Sequence, residues 1–515
     1  MYITQSLHAQ LQRDPDQVAT VFGDRTRTVR ESVDRIARLA GALRSLGVAE
    51  GDRVGIYGLN SDRYHELLMA VPWAGAMVNP VNVRWSPAEV AYSFNDCQTN
   101  VLFVDDTFAP AVPVLREKVP DLRAVIHIGE KETPEGMLSY EQLVADHEPV
   151  EDARRGGDEI YGIFYTGGTT GESKGVMLSH QACLMSAMGS LVSTAILTRG
   201  GVLLHAAPMF HLADIAAWNI GNLTGSTHVI VPMFTPAGVV NAIADHDVTG
   251  ALLVPTMIQM LVDSPEAKAA DLSSMEAVIY GASVISESVL AKARAMFPNA
   301  RFTQAYGMTE LAPIATVLTE EDHKNPALAR SCGRPASHCE LKIVDPDDVE
   351  VPRGEVGEVV ARGDHMMAGY WNKPKETEDA LRGGWMHTGD AAYMDDEGYV
   401  FIVDRIKDMI VTGGENVYTA EVENADFKHP AVAQVAVIGV PDEEWGERVH
   451  AVVVRAPDQE VTAEELRDFC REHIGGYKLP RSVEFIDALP ISGAGKILKR
   501  ELRRAHWGEE SRAVH

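Results

Sequence analysis

The stretch Tyr165 to His180, YTGGTTGESKGVMLSH, gathers glycines, hydroxyls and one lysine between an apolar run and a helical pattern. These residue types suit a polyanion. Glycines let backbone N–H groups approach closely, hydroxyls donate to oxygens, and lysine adds a mobile positive charge. The chemistry to weigh is therefore the gripping of phosphate. A P-loop needs Gly-Lys followed by Ser or Thr. Here Ser173 precedes Lys174 and Gly175 follows it. Gly493 to Lys496 (GAGK) comes nearer, but Ile497 follows the lysine and Pro490 stands where the first glycine belongs. Neither is a P-loop. A lone glycine-rich loop is more often a plain surface turn, so the loop has to be weighed with the rest of the chain.

Six more stretches hold residues capable of chemistry. They are PMFH (Pro208 to His211), YGAS (Tyr280 to Ser283), QAYGMTE (Gln304 to Glu310), WMHTGD (Trp385 to Asp390), DRIKDMIVTGGENVYTAEVE (Asp404 to Glu423) and ISGAGKILKREL (Ile491 to Leu502). Singly, each has a bland reading. Glu310 could cap a helix, Tyr306 could be core, Asp390 a turn aspartate and Lys496 a solvated lysine.

The elements that must position them follow from hydropathy. Glu31 to Val48 sets Val33, Ile36, Leu39, Ala40, Leu43 and Leu46 on one helical face, with Gly47 as a stop. RVGIYGLN, NVLFVDD, AVIHIGE, HVIVPMF, GALLVPT and EAVIYGAS read as short buried strands, and DRYHELLMAVPWAG as a helix. Strand and helix alternate, which predicts parallel sheets with helices on both faces. From Asp345 to Trp371 the texture turns to valine and turn residues, as in a small antiparallel unit. The last hundred or so residues read as a compact α+β unit, with Thr462 and Glu465 placed as a capping box. A boundary at 404–408 separates 1–405 from 406–515.

Bulk properties narrow the class. A chain of 515 residues predicts more than one domain. A net charge of -28 and pI near 5.0 repel nucleic acid and anionic membranes at long range, so no nucleic-acid partner is expected, while a small basic pocket is allowed. The five cysteines form no CxxC or zinc spacing and suit a reducing cytoplasm. The N-terminus shows no signal-peptide pattern, and no apolar run is long enough for a membrane span. The ending RAVH is not a peroxisomal address.

Seven motifs in this order resemble the acyl-adenylate-forming family: acyl-CoA synthetases, adenylation domains of peptide synthetases and firefly luciferase. The resemblance covers essentially the whole chain. It implies an α/β fold with a large N-terminal domain of doubly wound sheets, a small β-barrel-like subdomain, and a small mobile α+β C-terminal domain. The implied reaction joins a carboxylic acid to AMP, then passes the acyl group to a thiol. Such a step brings phosphate charges against a carboxylate and needs cations and donors aimed at developing charge.

The resemblance also implies roles. Thr166, Gly168, Thr169, Thr170 and Lys174 cradle the β- and γ-phosphates of ATP. Thr309 meets the α-phosphate, and Glu310, with Thr166, holds magnesium, a hard cation wanting oxygen ligands. Tyr306 stacks on adenine beside Gly307, with Gly281, Ala282 and Ser283 on the other side. Asp390 and Arg405 take the ribose. Lys496 reaches the oxygens between acyl carboxylate and α-phosphate. Lys407 is the hinge residue, staying solvated while the small domain turns, and His211 gates the passage to the thiol. Gly413 and Gly414 let pantetheine pass, and Trp445, Tyr477, Lys478 and Arg481 meet the CoA nucleotide. Three positions depart from the family pattern. Gly167 replaces a serine, Ser173 a proline and Thr419 a proline. These bear on ATP affinity more than on reaction type.

The acid is expected among Met209, Ile215, Trp218, Met308 and Ile314, with small walls at Gly281, Ala282, Ala305, Gly307 and Ala312. That lining fits a medium- or long-chain fatty acid. A flat aryl acid of the cinnamate, ferulate or benzoate kind is the alternative. Asp214 lies close by but is not offset as an ammonium partner. The short stretch after Lys496 holds no carrier domain, so the thiol is expected from outside, with CoA the economical choice and a separate carrier protein the alternative. A homodimer is the expected assembly.

Overall fold

The computed structural model describes residues 1–166, 173–194, 196–281, 285–491 and 497–507. The chain forms two compact units. One comprises Met1–Leu341 with Ala361–Met386, the other Lys342–Val360 with His387–His515.

The large unit is built on two sheets. The nine-stranded sheet runs Arg334–Pro335, Ile314–Leu318, Arg301–Gly307, Ala277–Gly281, Gly250–Leu252, Val202–His205, Thr227–Ile230, Val18–Phe22 and Arg25–Thr28. The eight-stranded sheet runs Gly369–Tyr370, Lys174–Ser179, Ile160–Thr166, Met77–Pro80, Arg53–Tyr57, Val101–Val104, Ala124–His127 and Leu138–Ser139. Their middles are parallel with helical crossovers, as the alternation predicts. The sheets are nonetheless mixed. Ile160–Thr166 pairs antiparallel with Lys174–Ser179, and Arg301–Gly307 with Ile314–Leu318. In both cases the connection is too short for the crossover that a parallel pair requires.

Helix Asp62–Ala74 is buried at every position and touches strands of both sheets, so it forms part of the layer between them. Its charged side chains are paired. Arg25 reaches Asp62 at 2.8 Å, and Arg35 reaches Glu66 at 2.7 Å. Helix Val29–Ser45 is started by a Thr28/Glu31 capping box and buries Ile36, Leu39, Ala40 and Leu43. The turn-rich stretch does not stay in one antiparallel unit. Its end, Gly369–Tyr370, pairs with Lys174–Ser179 in the eight-stranded sheet.

In the second unit, Met386–Met394 and Val400–Arg405 pair antiparallel within an open four-stranded sheet, the counterpart of the β-barrel-like subdomain. The α+β portion follows. Ile410–Thr412 and Glu415–Val417 form a hairpin beside Gly446–Arg455, which pairs with Val432–Asp442 and with Ser482–Phe485. Thr419–Asp426, Ala463–Arg471 and Lys499–Trp507 are its helices, and the Thr462/Glu465 capping box is formed. Among the described residues, no helix is long and apolar enough to cross a membrane.

Candidate active site

Register sets the first part of the site. Thr166 lies opposite Lys174 across the antiparallel pair, so the two ends of the glycine loop are cross-strand neighbours. Gly168, Thr169 and Thr170, expected from the sequence to meet phosphate, lie outside the described residues. On its other side the Lys174 strand pairs with Gly369–Tyr370. This brings the Lys174 ammonium over the Tyr370 ring, 4.8 Å from its centre. The Tyr370 hydroxyl in turn donates to Glu310 Oε1 at 2.9 Å. Burial, and then the Glu310 carboxylate, push the Tyr370 phenol well above the usual tyrosine range, so it keeps its proton and acts as the donor. A backbone bond from Met367 N to Glu310 O, 2.8 Å, ties the same two segments. Glu310 is 7% exposed and Tyr370 8%. The structure thus joins Lys174 and Glu310 through a residue that the sequence reading missed. Tyr370 sits in a two-residue strand, too short for any periodic signal.

The second part lies at the carboxyl ends of two parallel strands. Tyr280 pairs with Gln304 and Gly281 with Ala305, so YGAS and QAYG are side by side; Ala282 and Ser283 lie outside the described residues. A Cβ on Gly281 would meet Ala305 O at 2.1 Å, and one on Gly307 would meet Pro313 O at 1.8 Å. Both glycines are required by backbone packing alone. Tyr306 is half-buried on the strand that leads to Gly307. Thr309 opens the short 3₁₀ turn Thr309–Leu311 that carries Glu310.

The apolar residues divide into two clusters. Met209, Ile215 and Trp218 are each 0% exposed and share a core with Leu311 and Ala312, against which Tyr306 and Met308 pack. Ile314 and Ala305 belong to a separate small cluster with Val317 and Ala336. His211 caps helix Leu212–Thr224, its Nδ1 accepting from Ala213 N at 3.3 Å. Asp214 is buried and bound to His205 Nδ1 at 2.8 Å, which explains why it is not offset toward a ligand.

In the second unit Asp390 and Arg405 are cross-strand partners, joined Nε to Oδ1 at 2.7 Å. Asp390 is 5% exposed, and its neighbour Gly389 is held by Glu358 at 2.9 Å. Lys407 lies in the turn after this strand, outside regular structure. It is half-buried rather than solvated as expected. Burial, then repulsion from Arg405, lower its pKa to about 8. Thr419, one of the departures, donates both its N–H and its hydroxyl to the buried Asp404, and its hydroxyl accepts from Lys499 at 2.5 Å. A proline offers neither donor. Lys496 lies outside the described residues.

Gly413 and Gly414 form the two-residue hairpin turn with φ of +60° and +85°. Positive φ at both positions is the signature of a hairpin turn that glycine favours. A Cβ on Gly413 would also stand 2.5 Å from the Trp445 ring. Arg481 stacks on the other residue of this group, its Cζ 4.6 Å from the Trp445 ring centre. Tyr477 is exposed, whereas the Lys478 ammonium is bound by both oxygens of Glu421 at 2.7 Å.

In the large unit a lysine and a buried carboxylate meet through Tyr370, near glycine-tight strand ends, and the second unit carries an Asp–Arg pair of its own. The pattern of AMP-binding enzymes matches residues 7–371, and that of the AMP-binding enzyme C-terminal domain matches 421–496. The chain belongs to the AMP-binding enzyme family, within the acyl-adenylate-forming superfamily, and is an AMP-forming acid–thiol ligase. It is 37% identical to a fatty acid–acyl-carrier-protein ligase of Streptomyces coeruleorubidus, over 99% of this chain and 97% of that protein. It is 38% identical to a feruloyl-CoA synthase of an Amycolatopsis species, over 95% and 96%. The crystal structure of an anthranilate CoA ligase with anthranoyl-AMP superposes with a TM-score of 0.90 at 26% identity, covering 98% of this chain and 97% of that one.

Proposed function

We propose that this enzyme is an ATP-dependent acyl-CoA ligase for a medium- or long-chain fatty acid. Acid and ATP give acyl-AMP and pyrophosphate; CoA then gives acyl-CoA and AMP. The observation that carries the reading is the Lys174–Tyr370–Glu310 contact, which holds a cation and a carboxylate together at the base of the glycine loop. Lys174 grips the outer phosphates with Thr166, Gly168, Thr169 and Thr170, and Thr309 meets the α-phosphate. Tyr306 takes the adenine, and Asp390 with Arg405 takes the ribose. The Glu310 carboxylate and Thr166 hydroxyl form the oxygen donor set a hard cation prefers. Magnesium bound there would neutralise phosphate charge. Lys496 stabilises the adenylation transition state, and the chain pivots at 404–408 between the half-reactions.

The apolar character of Met209, Ile215 and Trp218, which share a buried cluster against which Met308 packs, supports an acid with an uncharged body, as does the engagement of Asp214 by His205. Five buried cysteines without a disulfide support a reducing cytoplasm. The feruloyl-CoA synthase relative favours an aryl acid as a second reading. The carrier-protein ligase favours a separate carrier as thiol donor. Mass spectrometry of reactions with ATP, magnesium, CoA and a panel of fatty, cinnamic and benzoic acids tests all three. The proposal expects AMP and a fatty acyl-CoA. An aryl-CoA selects the second reading, acyl-AMP without thioester selects the carrier, and ADP as product overturns the adenylate chemistry.

A further inference from the structure

The second unit holds a cluster that acid activation does not use. His450 lies on strand Gly446–Arg455, Glu484 on its parallel neighbour Ser482–Phe485, and His506 on helix Lys499–Trp507. His450 Nε2 stands 3.5 Å from Glu484 Oε2, and His506 Nε2 stands 3.7 Å from the same oxygen. The three ligand atoms all lie within 4.8 Å of one another. Zinc with bonds of about 2.0–2.1 Å spaces tetrahedral ligands roughly 3.4 Å apart, so small side-chain shifts close the triangle.

His450 provides the second observation. It is only 5% exposed, and its Nε2 makes no hydrogen bond of ordinary geometry, the Glu484 carboxylate standing off at 3.5 Å. Its other ring nitrogen, Nδ1, is engaged by Ser482 Oγ at 2.7 Å. That bond turns Nε2 toward Glu484 and His506. A partner on the far ring nitrogen is how metal-binding histidines are oriented, and an unsatisfied buried nitrogen calls for an explanation. Glu484 and His506 are 49% and 28% exposed in their side chains, so the outer side is open to water.

We propose that His450, Glu484 and His506 form a zinc site, with two imidazole nitrogens, one carboxylate oxygen and a solvent-facing fourth position. Its effect is to fasten the C-terminal helix to the sheet of its own unit. Lys496 lies in sequence between two of the ligands, Glu484 and His506. The site would therefore anchor both ends of the stretch that carries it. The metal site itself does not depend on the proposed acid or acceptor.

The test is calorimetric titration of chelator-stripped full-length enzyme with zinc chloride in excess magnesium, alongside His506→Ala and Glu484→Ala. Both substitutions fall on partly exposed side chains, and circular dichroism checks that the fold is retained. The wild type is expected to bind one equivalent that each variant lacks. Cobalt(II) in place of zinc should give a tetrahedral visible spectrum in the wild type alone. Equal zinc uptake by wild type and both variants, or no uptake by the wild type, overturns the proposal.

Discussion

Removing one oxygen atom isolates the link between the two halves of the candidate phosphate site. Tyr370→Phe keeps the ring beneath Lys174 and deletes only the hydroxyl that donates to Glu310 at 2.9 Å. Both residues are buried, so water cannot readily replace the lost donor. A hydrogen bond to a charged group contributes about 1.5–3 kcal/mol, and each 1.4 kcal/mol is a factor of ten. The loss should appear where Glu310 works, as a fall of roughly 10- to 150-fold in kcat/KM for ATP in acyl-AMP formation. Pyrophosphate release measures that step. Thiol attack on supplied acyl-AMP should change less than about twofold, since pyrophosphate has already left. Adenylation within about twofold of wild type would refute the reasoning, as would equal losses in both half-reactions.

Three further outcomes are expected. Lys496→Ala should abolish acyl-AMP formation while leaving thiol attack on supplied acyl-AMP largely intact; parallel loss in both steps would remove the pivot from the mechanism. Thr419 is the first residue of its helix, where proline fits sterically. Thr419→Pro should therefore report mainly the lost bonds to Asp404. We expect about 3 kcal/mol or more of destabilisation in denaturant titration, from two bonds to a carboxylate at about 1.5 kcal/mol or more each, with Thr419→Ser near wild type, and an unchanged midpoint for the proline variant would contradict this. Lys407 titrates near 8 when folded against 10.5 for an ordinary lysine. Between those values the unfolded chain binds more protons, so stability from this group rises with pH from about 8 to 10.5. Comparing wild type with Lys407→Met across that range should show the rise in the wild type only.

Local signals carried much of the architecture. The capping box at Thr462 and Glu465, the apolar face from Ile36 to Leu43 and the strand–helix alternation all depend on residues a few positions apart, and all are present. What could not be read depends on distant partners. Tyr370 meets Glu310 sixty positions away, from a strand of only two residues. The antiparallel ends of the large sheets follow from connection length rather than from the strands' composition. Thr419 reads as a departure from a family proline until Asp404 and Lys499 are seen against it. Gly413 suggests a path for a ligand, yet the turn and the Trp445 ring already require a glycine there. The candidate site was thus legible as an ordered set of motifs, while the contacts that join them were not.

The strand that begins at Lys174 has a neighbour on each side, with Ile160–Thr166 on one flank and Gly369–Tyr370 on the other. The lysine is therefore anchored by an interior strand of the sheet, whatever the loop before it contains. Such an arrangement separates two kinds of sequence freedom. The backbone that carries the charge is held by strand pairing, independently of which side chains stand at positions 167 and 173. Under the proposed reading, positions 167 and 173 are accordingly the places to vary when nucleotide affinity is to be tuned, and the two flanking strands are the place to leave alone.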